Sequence, residues 1–212
     1  AIAAAQRQGV ELLVIRIAVA HADAIATLER AGAQRCDTLV TYARKFVHHA
    51  ERFESSGVRP GSTADAAALA EASRKAFDHF DGHWHADARL DATLATQLYA
   101  QWAADLARAA SARQPLLIAA GDSGEVSGFL ATAERGENRW SVPLAAVVPD
   151  RRGSGLLSTM LRVALASLAR ISHGVLCYET QVGNRAAIRS VEKSGFDVES
   201  SRHTYHLWLH SS

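Results

Sequence analysis

Residues 149–161, Pro-Asp-Arg-Arg-Gly-Ser-Gly-Leu-Leu-Ser-Thr-Met-Leu, join an arginine pair to two glycines one residue apart, and a helical apolar pattern begins at once. Gly153 and Gly155 admit backbone angles closed to other residues and let main chain approach a ligand closely. A helix starting there offers unsatisfied N–H groups and a partial positive charge. Arg151 or Arg152 adds full charge, so the stretch has the chemistry of a phosphate cradle; a plain strand-to-helix turn needs the same glycines. A second polar patch, residues 77–87, sets His79, His83 and His85 beside Asp78 and Asp81, interleaved with Phe77, Phe80 and Trp84. Helical i, i+4 spacing joins no more than one pair of these histidines, so no metal is expected.

The elements that must position these groups follow from patterning. Pro149 ends a strand, having no N–H to give a sheet. Residues 140–148 read as that strand, and 153–171 as the helix after the glycines. Residues 174–182 read as a buried strand, 184–195 as a short helix ended by Gly195, and 202–210 as a closing strand. Upstream, 64–77 is helical with Thr63 or Asp65 as cap, and 90–110 is a second helix. Two strands, 115–122 and 124–134, meet at the turn Gly121-Asp122-Ser123-Gly124, and a hairpin turn lies within 133–143. Residues 54–65 collect Ser, Gly and Pro and read as a linker. Helices alternating with strands around one sheet give an α/β (α+β) class from about 57 to 212.

The N-terminal residues repeat part of this pattern. Shifted by 163 positions, residues 19–42 overlay 182–205 without a gap. Val19, Ala24, Ile25, Glu29, Gly32, Thr41 and Tyr42 meet Val182, Ala187, Ile188, Glu192, Gly195, Thr204 and Tyr205. A strand–helix–strand duplication accounts for this, with 1–56 as a half-domain that lacks a glycine-rich loop of its own.

Bulk composition bounds the rest. The 212 residues carry 23 Lys+Arg against 22 Asp+Glu, so no basic excess points to nucleic acid or an anionic membrane surface. A hydrophobic content of 48% suffices for a packed core. Cys36 and Cys177 are too few for a disulfide framework and read as reduced thiols of a cytoplasmic protein. The apolar run in 11–24 is broken by Arg16 and does not read as a signal peptide. The first residue is Ala, as expected of a processed chain or one cut from something longer.

Val147-Val148-Pro149, then Arg152-Gly153-Ser154-Gly155-Leu156, then Asn184, Ala187, Glu192, Lys193, Gly195 and Phe196 together resemble the paired motifs of the GCN5-related N-acetyltransferase (GNAT) family. Residues 58–77 are similar to the usual opening of its fold, so the resemblance covers 57–212. It implies a mixed central sheet flanked by helices, here preceded by the partial half-domain, and acetyl-CoA as acyl donor. The loop amides of 152–157 would hold the pyrophosphate, with Arg151 or Arg152. The pantetheine arm would lie along main chain at Ala145 and Val147, in a gap between that strand and Tyr178–Val182, and would meet Asn184. Two positions depart from the family pattern: Leu157 stands for a Gly or Ala, and Val191 for the tyrosine that protonates the leaving thiolate in many members. Substitutes are few. Tyr178 and Glu179 face opposite sides of one strand, and Tyr205 is matched by Tyr42 in the repeat, which favours packing. The resemblance puts 77–87 at the acceptor pocket, with Phe77, His83 and Trp84 as contacts. Its layout is most similar to family members that acetylate the amine of a dTDP-linked 4-amino-4,6-dideoxyhexose and form homodimers. Another amine acceptor (amino acid, polyamine, drug or protein N-terminus) or a non-catalytic acyl-CoA sensor remains open.

Overall fold

A computed structural model describes residues 2–48, 57–78, 80, 82–121 and 124–209; His79, Asp81, Asp122 and Ser123 lie outside them. The chain opens with helix α1 (Ile2–Arg7), strand β1 (Leu12–Ala18), helix α2 (Ala22–Arg30) and strand β2 (Gln34–Phe46). A short strand β3 (Val58–Pro60) precedes the helices α3 (Ala66–Phe77), α4 (His83–Ala86) and α5 (Ala92–Arg108). An antiparallel run of β4 (Leu116–Ala120), β5 (Val126–Glu134) and β6 (Arg139–Val147) follows. Helix α6 (Leu156–Ala169), strand β7 (Gly174–Gln181), helix α7 (Arg185–Lys193) and strand β8 (Asp197–Trp208) complete the chain. No helix of the described residues is long and apolar enough to cross a membrane.

All eight strands form one mixed sheet in the order β1-β8-β2-β7-β6-β5-β4-β3, and only β6 and β7 run parallel. One face is covered by α3–α5, where Leu69, Phe77, Tyr99 and Ala103 pack on Ile118, Phe129 and Leu144. The other carries α6 and α7 over Trp140, Val142, Leu176 and Tyr178, and α2 over Tyr205 and Leu207. Side chains alternate along β4 and β5, so these strands supply both cores, and the bulge at Val142–Pro143 lets β6 do the same.

The repeat is visible in the hydrogen-bond ladder. The 163-residue shift carries α2 onto α7 end for end. It turns the pair Leu12↔Trp208 into Val175↔Lys45, and Ala18↔Arg202 into Gln181↔Leu39. The β2–β8 pairing maps onto itself, bulges included. The Tyr205 hydroxyl donates to Glu29 Oε1 at 2.8 Å, and Tyr42 faces Glu192 in the matching place. The two units therefore interleave: β2 lies between β7 and β8, so residues on either side of position 56 share one sheet.

Two local expectations shift and one is refined. Val58–Pro60, read as linker, forms an edge strand on β4, a place that tolerates proline. At the entry to α3, Asp65 holds the cap position as expected, but its carboxylate reaches back to accept from the Ser62 N–H at 2.8 Å, closing a 3₁₀ turn, Thr63–Asp65, ahead of the helix. The closing strand begins at Asp197 rather than 202, because its first half pairs with β2 before its second half meets β1.

Candidate active site

The sheet opens between β6 and β7. Their parallel pairing runs only from Arg139↔Val175 to Val142↔Tyr178 and then stops. Pro143 explains the end of the ladder. Val142 and Pro143 bulge opposite Thr132 of β5, and proline has no N–H for β7. Beyond the bulge β6 stays on β5 through Leu144↔Ala131 to Val147↔Gly128, while β7 stays on β2. The Val148 N–H donates to Ser127 of β5 at 3.0 Å. By strand alternation the N–H groups of Ala145 and Val147 therefore point away from β5, into the opening. An unpaired strand edge of this kind accepts an extended, amide-bearing ligand as though it were a strand.

The mouth of the opening is the loop 149–155. Pro149–Arg151 form a 3₁₀ turn, in which the N–H groups of Arg151 and Arg152 donate to Val148 and Pro149. The Arg152 amide is thus engaged within the chain. Its guanidinium donates to the Ala76 carbonyl at 2.9 Å, tying the loop to α3. Gly153 and Gly155 take φ of +80° and +84°, where a Cβ would meet nothing within 4 Å; conformation, not space, requires glycine. The amides of Gly153, Ser154 and Gly155 have no protein acceptor among the described residues. Those of Leu156 and Leu157 belong to the first turn of α6, which has no intrahelical partner. Ser154 turns its hydroxyl to the Arg151 carbonyl. Leu157 lines the opening and packs on the core below α6. Asn184 caps α7, its Oδ1 accepting from Ala187 N–H at 3.2 Å, and also lines the opening.

This opening continues into a cleft of about 2080 Å³ between the sheet and helices α3–α5. The cleft brings together Ala145, Val147, Arg151, Arg152, Gly153, Gly155, Leu156, Leu157 and Asn184 with Phe77, His83, Trp84, Tyr178 and Glu179. Tyr205 is not among its walls: it is fully buried on the other face, bonded to Glu29. Tyr178 is packed in the core beside the opening, and burial pushes its phenol pKa up. Glu179 faces the cleft but is ion-paired with Arg202 and accepts from Thr41 Oγ1 at 3.2 Å. Val191 is fully buried under α7, in the core with Met160 and Leu161.

Two cleft groups and two buried groups behind them escaped the sequence reading. Arg16 of β1 and Asp37 of β2 come from the segment read as a half-domain without a site. Arg16 has no protein partner among the described residues, and Asp37 Oδ1 is buried without one. The visible signal was the lone arginine in the apolar run 12–18. Behind His83 stand His206 and Asp87, both buried. Asp87 Oδ1 accepts from Arg89 Nε at 2.8 Å, and its Oδ2 accepts from Trp208 Nε1 and His206 Nδ1, each at 2.9 Å. Arg89 above all holds the Asp87 carboxyl well below the usual carboxylate range. Cys36, Asp87 and His206 put ligand-type atoms within 4.8 Å of one another, yet both Asp87 oxygens are already taken by donors. Cys36 and Cys177 are free thiols.

A model of the acetyltransferase (GNAT) family matches residues 67–196. The spore coat polysaccharide biosynthesis protein SpsD of Bacillus subtilis (strain 168) is 28% identical over 156 residues, 74% of this chain and 51% of that protein. The chain thus spans about half the length of that curated relative. Among solved structures, a GCN5-related N-acetyltransferase from Sphaerobacter thermophilus gives a TM-score of 0.66 at 14% identity, covering 95% of this chain and 63% of that one. A tandem GNAT protein from the clavulanic acid biosynthesis pathway gives 0.59 at 15% identity, covering 99% and 68%. At such identities these structures speak to the fold alone.

Proposed function

The chain belongs to the acetyltransferase (GNAT) family, and on that premise we propose that it is an acetyl-CoA-dependent N-acetyltransferase whose acceptor is the amine of a nucleotide-linked amino sugar. The observation that carries the donor half is the strand edge at Ala145 and Val147, open beside a loop of unengaged amides. Pantetheine amides match such an edge, and the pyrophosphate matches the N–H groups of Gly153 to Leu157 with Arg151. Asn184 lies where the arm would pass. An amide of the β6 edge next to the thioester would hold the oxyanion as the amine attacks.

The acceptor half rests on charge and surface. Arg185, Arg189 and Lys193 of α7 line the donor end, while Arg16 lies across the cleft on β1. Arg16 suits a second anionic ligand, such as the diphosphate of a sugar nucleotide. Phe77, Tyr99, Trp84 and Trp102 offer aromatic faces in the same cleft to a sugar or base. The polysaccharide biosynthesis for which SpsD is named agrees with an amino-sugar acceptor.

Calorimetry with desulfo-CoA tests the donor half, and absence of binding overturns it. Thiol release with acetyl-CoA tests the acceptor half. A dTDP-linked 4-amino-4,6-dideoxyhexose is expected to exceed lysine and spermidine in kcat/KM. Turnover confined to the simple amines would remove the nucleotide from the reading.

A further inference from the structure

Acetyl transfer needs a neutral amine, so a base must stand where the acceptor lies, and neither Tyr178 nor Glu179 is free for that task. We propose that His83 is the general base, with its tautomer and orientation set by His206 and Asp87 as positioning residues. The inference rests on the acetyltransferase reading and names the proton acceptor of that reaction.

The hydrogen-bond chain fixes the protons. Asp87 is ionised and only accepts, so His206 Nδ1 must carry the hydrogen it donates across 2.9 Å. In the proposed chain the His206 Nε2 carries no hydrogen and accepts. His83 Nδ1, also 2.9 Å away, is then the donor. What remains is His83 Nε2, an unprotonated nitrogen with no protein partner among the described residues, on a ring that lines the cleft. Both rings are held: His206 is fully buried, and His83 packs on Trp84 with centroids 4.3 Å apart.

One neighbour, Asp37, favours a cationic amine. Asp37, whose Oδ1 lacks a partner, faces His83 from β2, and its Oδ2 accepts from Gln181 Nε2 at the opening of the sheet. The ammonium is thus drawn between the carboxylate and the base. Arg16 from β1, His206 from β8 and His85 on α4 also face His83, and all three oppose a second positive charge there. With burial, the leading cause, they lower its pKa to about 4, so the ring is neutral at pH 7. The relay eases that penalty. As Nε2 takes a proton from the ammonium, the Nδ1 proton shifts toward His206 Nε2, and the positive charge moves beside the Asp87 carboxylate. The neutral nitrogen then attacks the thioester carbon, the C–N bond forms and the C–S bond breaks. The second amine proton passes to the departing sulfur, and the proton held on the histidines returns to solvent after release.

Two measurements test this, one without turnover. Nitrogen-15 NMR of the histidine side chains at pH 7, assigned with His83→Gln, is expected to show His83 and His206 both protonated on Nδ1. A His83 protonated on Nε2, or on both nitrogens, overturns the proposal. In the assay with acetyl-CoA and the dTDP-linked amino sugar, His83→Gln is expected to lower kcat by roughly 10²-fold or more, with desulfo-CoA affinity unchanged. The loss should shrink as pH rises and the amine ionises by itself, and vanish with an alkoxyamine acceptor that is neutral at pH 7. An equal loss with both acceptors would assign His83 a structural role instead. Asp87→Asn is expected to move the His206 and His83 nitrogen shifts together and to lower kcat without raising KM for acetyl-CoA. If wild type binds desulfo-CoA but acetylates nothing, the acceptor reading fails, while the NMR result still decides the tautomer chain.

Discussion

The units β1–α2–β2 and β7–α7–β8 share register and connection lengths, and each sets a tyrosine against a glutamate of its partner's helix. Their surroundings differ. β7 is flanked by a strand that leaves it at Pro143, whereas β1 has no outer neighbour among the described residues. The helix cap differs as well: Asn184 accepts from the backbone at the start of α7, and His21, its counterpart at α2, makes no cap bond. The donor opening is therefore not a property of the repeated unit but of its neighbour, a bulged strand ending in a glycine loop. The N-terminal unit turns Arg16 and Asp37 toward the cleft instead. One scaffold used twice can thus serve two ligands from one sheet.

The largest expected effect breaks the donor side alone. Valine at both Gly153 and Gly155 forces β-branched residues to φ near +80°, at about 1–3 kcal/mol each, or a rearranged loop. Desulfo-CoA affinity should fall about a hundredfold by calorimetry, since tenfold corresponds to about 1.4 kcal/mol. Gly32, with φ of +82° at the end of α2, provides the matched control. Gly32→Val should lower the melting temperature and leave affinity alone. Equal affinity losses from both substitutions would mean that the two units do not divide the work as described.

The next effect concerns the shared tyrosines. Tyr205→Phe and Tyr42→Phe each remove a phenol facing a glutamate in a mostly buried place, at about 2 kcal/mol for a hydrogen bond to a charged group. Similar losses in denaturant midpoint are expected, with kcat unchanged for Tyr205→Phe. A collapse of kcat at full stability would restore Tyr205 as a proton donor.

His83 separates the units by pH, because the residue matching His206 in the first unit is Ala43. The folded-state pKa of about 4 lies below the unfolded value of about 6.5. As pH falls from 6.5 toward 4, the unfolded chain gains a proton that the folded chain refuses. Stability contributed by neutral His83 is therefore full above pH 6.5 and lost on acidification. His83→Gln should flatten the decline between pH 7 and pH 4 by about 1–2 kcal/mol in denaturant titrations.

How far this was legible varies along the chain. The glycine loop, the helix it opens and Asn184 follow from local rules, since conformation and capping act over a few residues. The repeat was legible because Glu29 and Glu192 keep their spacing to Gly32 and Gly195. Interleaving was not: nothing in residues 34–46 says that β2 will lie between β7 and β8. That long-range pairing is what brings Asp37 beside Gln181 and His206 behind His83. Composition misled in another way, for a near-zero net charge conceals how Arg16, Arg151, Arg185 and Arg189 gather on one cleft. Pro143, placed mid-strand, was the unread signal that the sheet must open there.

The smallest effect tests the caps. In Asn184→Ala the Ala187 N–H loses its acceptor at the start of α7, at about 1 kcal/mol. For a chain of this size that is about 2–4 °C in melting temperature. His21→Ala removes no cap bond and should move it by less than about 1 °C, near the limit for a neutral surface change. The decisive comparison is then made with desulfo-CoA present. If Asn184 only caps, both proteins gain the same ligand-induced shift as wild type. If it also touches the pantetheine arm, the Asn184→Ala protein gains a smaller ligand-induced shift than wild type and His21→Ala, because binding to the folded state stabilises in proportion to the logarithm of affinity.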